Sequence, residues 1–212
     1  MESEMLEEAK EELGITLQLN PAQSDAYANF GHIHFQQEHW NKAIEEFDHA
    51  IALGSNKPDT YYFAGLARSK QKAYGEAIPF LQKAVRLRSH KASYHFYLGN
   101  AFRHLGSFDE ALQEFRRTLE IQPMHSQAQN NIGVIFWNLK AYERAEVEFN
   151  KALDIQQNLP EIHQNLAILH LKNNRYANAI PHLDQVLKLQ PGNTTAQKLL
   201  DHALGQMKKG PS

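Results

Sequence analysis

The chain has 212 residues, of which 22 are Lys or Arg and 24 are Asp or Glu; its net charge is −2 and 42% of it is hydrophobic. That balance suits a soluble folded chain, and near-neutral charge with scattered cations argues against a nucleic-acid-binding face. Cysteine is absent, which excludes disulfides and thiolate metal sites and fits a reducing compartment, and no apolar run approaches the roughly 18 residues that cross a bilayer.

Residues 1–23 open on MESEMLEEAKEEL, acidic where a secretory leader would be basic and then apolar, so a cytoplasmic location is expected. Leu6, Leu13 and Leu17 form an apolar stripe, and Glu7, Glu8, Glu11 and Glu12 favour the first turns and the solvent side of one helix. Ala9, Leu13 and Pro21 keep the phase of the chain that follows, so this segment is expected to be the second helix of a preceding repeat, a half-repeat. Its open side would pack on another domain of a longer protein or on a second copy, giving a route to a homo-oligomer.

From residue 24 to 193 the chain repeats every 34 residues. One column at that step is Gly31, Gly65, Gly99, Gly133 and Ala167; a second is Trp40, Tyr74, Phe108, Tyr142 and Tyr176. A third is Ala43, Ala77, Ala111, Ala145 and Ala179, and a fourth is Phe47, Leu81, Phe115, Phe149 and Leu183. Small residues let two helix backbones approach closely, and the aromatic and Phe/Leu columns are expected in the core. The expected units are 24–57, 58–91, 92–125, 126–159 and 160–193, each a first and a second helix joined by a short polar turn such as Gly106-Ser107 or Asn173-Asn174. Pro123 and Pro191 are expected to end second helices and Pro79 and Pro181 to start them. Residues 194–209 then predict a capping helix, with Thr194 or Thr195 as N-cap, Leu199, Leu200, Ala203, Leu204 and Met207 inside, and Lys198, Asp201, His202 and Gln206 outside. Gly210-Pro211-Ser212 is read as a frayed tail.

The four columns resemble the tetratricopeptide repeat family over residues 24–193. The resemblance implies an all-α fold, a right-handed α-solenoid of helix–turn–helix repeats, and a concave groove that binds a peptide of a partner protein. Counting each repeat from its first residue, the packing columns are the fourth, seventh, eighth and eleventh, and the second, fifth, sixth, ninth, twelfth and thirteenth lie opposite. The sixth column is Asn29, Phe63, Tyr97, Asn131 and Asn165, and the fifth includes Tyr62, Phe96, Asn130 and Gln164. The middle of the groove is thus aromatic (Tyr62, Phe63, Phe96 and Tyr97, extended by Trp137), and exposed aromatics mark contact sites. Its C-terminal half, with Asn100 beside it, is rich in amides that bracket a peptide unit whatever its side chain. These amides look like the asparagine ladder of O-linked N-acetylglucosamine transferases, interrupted here at Phe63 and Tyr97.

The carboxylate clamp of co-chaperone members is met only at Asn100 and Asn131; Phe96, Glu161 and Asn165 stand where its cations would be, so chaperone-tail binding is not expected. Arg68 fills an aromatic slot, and its head is expected at the groove lip near Lys70 and Arg103. Of the 12 histidines, His95 and His163 in the fourth column and His34 and His170 in the eleventh read as packing residues with a polar tip, and no spacing gives a metal site. No phosphate loop, nucleophile elbow or carboxylate pair across a cleft supports catalysis, and no cofactor is implied. The expected function is a non-enzymatic scaffold; the alternatives are a self-assembling structural module and a regulatory or substrate-selecting domain of a larger enzyme.

Overall fold

The computed structural model describes residues 2–208, and for residues 2–7, 9 and 10 the backbone alone. The expected inward placing of Leu6 and Ala9, the outward placing of Glu7, and the Gly210-Pro211-Ser212 tail lie outside the described residues. Those residues form twelve α-helices and no strand. They fall into two compact units, Met1–Ile121 and Gln122–Ser212.

The first unit contains α1 (Glu2–Leu19), α2 (Ser24–Gln36), α3 (Trp40–Ala52), α4 (Pro58–Lys70), α5 (Tyr74–Leu87), α6 (Ala92–His104) and α7 (Phe108–Ile121). Within it α2, α4 and α6 lie side by side, each paired with the helix that follows, and α1 packs on α2. The second unit contains α8 (Ser126–Asn138), α9 (Tyr142–Ile155), α10 (Pro160–Lys172), α11 (Tyr176–Leu189) and α12 (Thr194–Lys208), each packed on the next. α4 and α10 begin on Pro58 and Pro160, whose fixed φ suits a first helical position where the missing N–H costs nothing.

The small-residue column marks the helix crossings. A Cβ on Gly31, Gly65, Gly99 or Gly133 would stand 2.7, 2.7, 2.9 or 2.6 Å from Phe47, Leu81, Phe115 or Phe149 respectively. The column from Phe47 to Leu183 is therefore the partner of the glycine column, and all its members are buried, as are the five alanines from Ala43 to Ala179. The aromatic column differs from expectation. Trp40, Tyr74, Phe108, Tyr142 and Tyr176 are the first residues of the second helices and are only half-buried, since a helix end is open to solvent on one side. The third column (Ala26, Thr60, Tyr94, Ala128 and Ile162) and the tenth (Ile33, Ala67, Ala101, Ile135 and Leu169) are buried instead, two columns absent from the expected core.

Pro79 and Pro181 do not start helices. α5 and α11 begin five residues earlier, at Tyr74 and Tyr176, and each proline is exposed and sits inside its helix. Their missing N–H groups deprive the carbonyls four residues before, on exposed Gly75 and Ala177, which water can reach. α12 is capped by Asn193 and not by a threonine: Asn193 Oδ1 accepts from the Ala196 N–H at 2.9 Å. Ala196, Leu200 and Ala203 are its buried face, whereas Leu204 and Met207 are 41% and 51% exposed.

The turn within each repeat has one position in the left-handed region: Glu38, Lys72, Gly106, Lys140 and Asn174, with φ of 58°, 63°, 80°, 59° and 56°. A residue with a Cβ is strained there, and a lysine has no local hydrogen bond to offset the strain. Lys140→Gly is expected to stabilise the chain by roughly 0.5–1 kcal/mol, the released strain exceeding the entropy that glycine loses on folding. Urea denaturation checks this; an unchanged or lower midpoint would contradict it.

Candidate interaction site

In the first unit, α2, α4 and α6 carry a run of touching rings, part of which also packs on the second helices: His32 and Phe63 lie 5.2 and 6.3 Å from Phe47 of α3, and Phe96 lies 5.9 Å from Phe115 of α7. Phe63 lies edge-on to Phe35 (5.2 Å between centroids), His32 (4.4 Å) and Tyr62 (4.9 Å). Tyr62 meets Tyr94 (4.8 Å) and Tyr97 (5.7 Å), and Tyr97 meets Phe96 at 5.3 Å. Tyr62 is buried, its hydroxyl pushed well above the usual tyrosine range by that burial and by the hydroxyls of Tyr97 and Tyr94. It therefore supports the face from beneath. The sequence reading placed it in the open because the third-column Tyr94, which covers it, was not recognised as core. Phe63, Phe96 and Tyr97 are half-buried.

Beside Tyr97 a pocket of about 280 Å³ opens between α4 and α6, lined by Leu66, Lys70, Tyr74, Tyr97, Asn100 and His104 among others. Tyr74 is held flat against His104, 4.3 Å between centroids and 5° between planes. Arg103 touches His104 beside the pocket: its Nη2 donates to His104 Nε2 at 3.2 Å, and its Nε is buried without a hydrogen-bond partner. Tyr74 was expected as a core aromatic and not as a pocket wall, and Leu66 and His104 were not singled out from sequence; these two occupy the ninth and thirteenth columns, so the period itself carried the signal. Asn29 is exposed and lines a separate cleft beside α1, with Glu12, Leu13 and His32.

Arg68 leaves this face altogether. Its guanidinium holds Asp48 at 2.9 and 2.7 Å, donates to the Ala64 carbonyl at 3.1 Å and lies 4.0 Å from the Phe80 ring centroid. The expectation that it reaches the groove lip is thus corrected: the carboxylate of α3 and the ring of α5 hold it on the opposite side.

In the second unit, Asn165 Nδ2 donates to Asn130 Oδ1 at 2.9 Å, linking the first helices α8 and α10. Asn130, Asn131, Gln164 and Asn165 are half-buried. Trp137, also half-buried, meets Tyr142 edge-on at 5.2 Å. An amide pair joined in this way keeps further donors and acceptors for a bound backbone.

Three of the five fourth-column side chains, His95, Gln129 and His163, reach the second helix of their own repeat nineteen residues on. His95 Nδ1 meets Glu114 Oε2 at 2.6 Å, Gln129 bonds Glu148, and His163 Nδ1 meets His182 Nδ1 at 3.0 Å. The other ring nitrogen of His95 and of His163 donates to a preceding loop carbonyl, Ser89 at 3.0 Å and Gln157 at 2.8 Å. Burial opposes charge on His95, but the Glu114 carboxylate and the Ser89 carbonyl prevail and raise its pKa. Among the described residues no group of three or more His, Asp or Glu is arranged to hold a metal ion, and no helix is long and apolar enough to cross a membrane.

Repeated antiparallel helix pairs with a polar and aromatic first-helix face define a helical repeat protein of the scaffold class. Tetratricopeptide repeat profiles match residues 28–92, 74–123, 96–160 and 137–203. The chain belongs to the tetratricopeptide repeat family, with an all-α repeat solenoid fold that implies a protein–protein interaction scaffold. No curated protein sequence matches it. Among solved structures it is similar to MamA (24% identity, TM-score 0.68, covering 72% of this chain and 89% of that one). It is also similar to YrrB, a tetratricopeptide repeat protein described as having an unusual peptide-binding site (20%, 0.69, 88% and 96%). A third similar structure is the Cut9–Hcn1 hetero-tetramer of the APC/C (22%, 0.73, 95% and 40%).

Proposed function

We propose that the protein is a non-enzymatic scaffold whose first-helix face binds a peptide segment of a partner protein. One observation carries this reading: the first helices of each unit carry half-open, uncharged contact groups, Phe96 and Tyr97 on α6 in the first unit and, separately, the joined Asn130–Asn165 pair in the second. Aromatic rings supply apolar contact area at low entropic cost, and amides pair with any peptide backbone. YrrB, of similar fold, is described as having a peptide-binding site. Each neutral hydrogen bond nets only about 0.5–1.5 kcal/mol, so micromolar affinity needs several amides together with an aromatic anchor.

Site-specific photo-crosslinking tests the location. A benzophenone amino acid at position 97, 131 or 164 is expected to capture the same partner, whereas at position 45, the exposed Glu45 of α3, it captures none. Capture from position 45 and from none of the three would move the interaction to the second-helix face.

A further inference from the structure

The pocket between α4 and α6 has a chemistry of its own, and the inference drawn from it rests on the peptide-binding reading. Leu66, Ala101 and the rings of Tyr74 and Tyr97 give it apolar walls. The walls are preformed: Tyr74 is stacked on His104, and Tyr97 is wedged between Tyr62 and Phe96. At about 280 Å³ the pocket is at the lower limit for a small-molecule site and suits one large side chain.

Two cations, one in the lining and one in contact with it, stand here without a carboxylate partner among the described residues. Lys70 lines the pocket, and Arg103 touches the lining His104. Four arginines are buried or half-buried in the described residues: Arg68, Arg103, Arg117 and Arg175. Arg68 holds Asp48 at 2.7 Å, Arg117 holds Glu120 at 2.7 Å and Arg175 holds Glu146 at 2.6 Å. Arg103 alone has no carboxylate of the described residues within 4.0 Å, although its Nε is buried and burial lowers its pKa. Lys70 likewise has none, its nearest described partner being the Trp40 ring at 5.8 Å. A guanidinium taken partly out of water without a counter-charge is a receptor for an anion.

We propose that this pocket accepts one large apolar side chain of the partner peptide, and that the residue next to it is acidic, its carboxylate received by Lys70 and Arg103. The apolar side chain supplies the burial and the carboxylate fixes the register. A peptide carrying Lys or Arg at that place is rejected by like charge.

The test is selection of a displayed random peptide library on the full chain, followed by anisotropy titration of a selected, labelled peptide. Selected peptides are expected to share a large apolar residue beside Asp or Glu. Replacing that acid by its amide, or Lys70→Glu, weakens binding about fivefold or more, and the two changes together add little, as expected for a pair. Arg103→Gln acts in the same direction; because Arg103 is half-buried, circular dichroism accompanies it, and exposed Lys70 decides alone if that variant unfolds. Peptides that lose affinity on Tyr97→Ala or Asn165→Ala, lack the acidic residue and ignore Lys70→Glu would overturn the inference while leaving the peptide-binding reading standing. Peptides indifferent to all of these variants would overturn both.

Discussion

Gly133→Leu is expected to destabilise the second unit by roughly 3–5 kcal/mol, the largest effect of any single change considered for this chain. A Cβ alone at residue 133 would stand 2.6 Å from two ring carbons of Phe149, and that ring is 1% exposed, with no open side towards which to move. α8 and α9 must then separate, and the burial of Ala145 and Ala152 beside the crossing is lost with them. In a repeat array the damage stays near the altered interface and does not abolish every helix. Hydrogen exchange should show lost protection first in α8 and α9. Gly75→Ala is the control: nothing lies within 4 Å of a Cβ there, so it should be neutral or gain up to about 1 kcal/mol. Equal urea midpoints for Gly133→Leu and wild type would mean that these helices do not cross at residue 133.

The second large effect is on acid stability, and it comes from α10 and α11. His182 lies 5.3 Å between ring centroids from His163 and 5.6 Å from His170, and its Nδ1 is 3.0 Å from His163 Nδ1. His163 Nε2 donates to Gln157, so its Nδ1 is the acceptor and His182 donates to it. Burial, followed by repulsion from His163 and His170, pushes the His182 pKa down to about 4; Glu146, already held by Arg175, opposes this only weakly. The folded value lies below the ordinary 6.5, so the neutral ring stabilises the fold above pH 6.5 and that contribution is lost as the pH falls towards about 4. A shift of this size is worth at most about 3 kcal/mol, less what solvent screening removes at a half-buried ring. His182→Gln keeps a donor for His163 and cannot be protonated, so its urea midpoint should fall less than that of wild type between about pH 7 and pH 4.5. Parallel profiles would contradict the assignment. His95 has the opposite sign: its raised pKa gives a contribution that is present below pH 6.5 and is lost as the pH rises through its folded value.

What the sequence made legible follows from what recurs at fixed spacing. The glycine column, the alanine column and the buried Phe/Leu column each keep one residue type because one contact repeats, Gly133 on Phe149 as Gly31 on Phe47. The third column escaped notice because its members, from Ala26 to Tyr94, share burial but not size, and Tyr62 was misjudged with it. Arg68 was placed wrongly because its partner Asp48 lies twenty residues back, in no repeated column. The left-handed turn position was hidden behind Glu38, Lys72 and Lys140, residue types that carry no turn signal; only Gly106 and Asn174 do. The links at an offset of nineteen were open to discovery, since His95 with Glu114, Gln129 with Glu148 and His163 with His182 each join polar residues in register.

The central claim, that the first-helix face is the binding surface, is tested most directly by titrating the captured partner segment against wild type and three variants. Tyr97→Ala removes a half-buried aromatic anchor and is expected to cost about 1–3 kcal/mol of binding. Asn131→Ala should cost about 1 kcal/mol. Glu45→Ala, exposed on α3, should bind like wild type, and circular dichroism should show all three folded. If Tyr97→Ala and Asn131→Ala bind like wild type while Glu45→Ala abolishes binding, the partner uses the second-helix face and the account is contradicted.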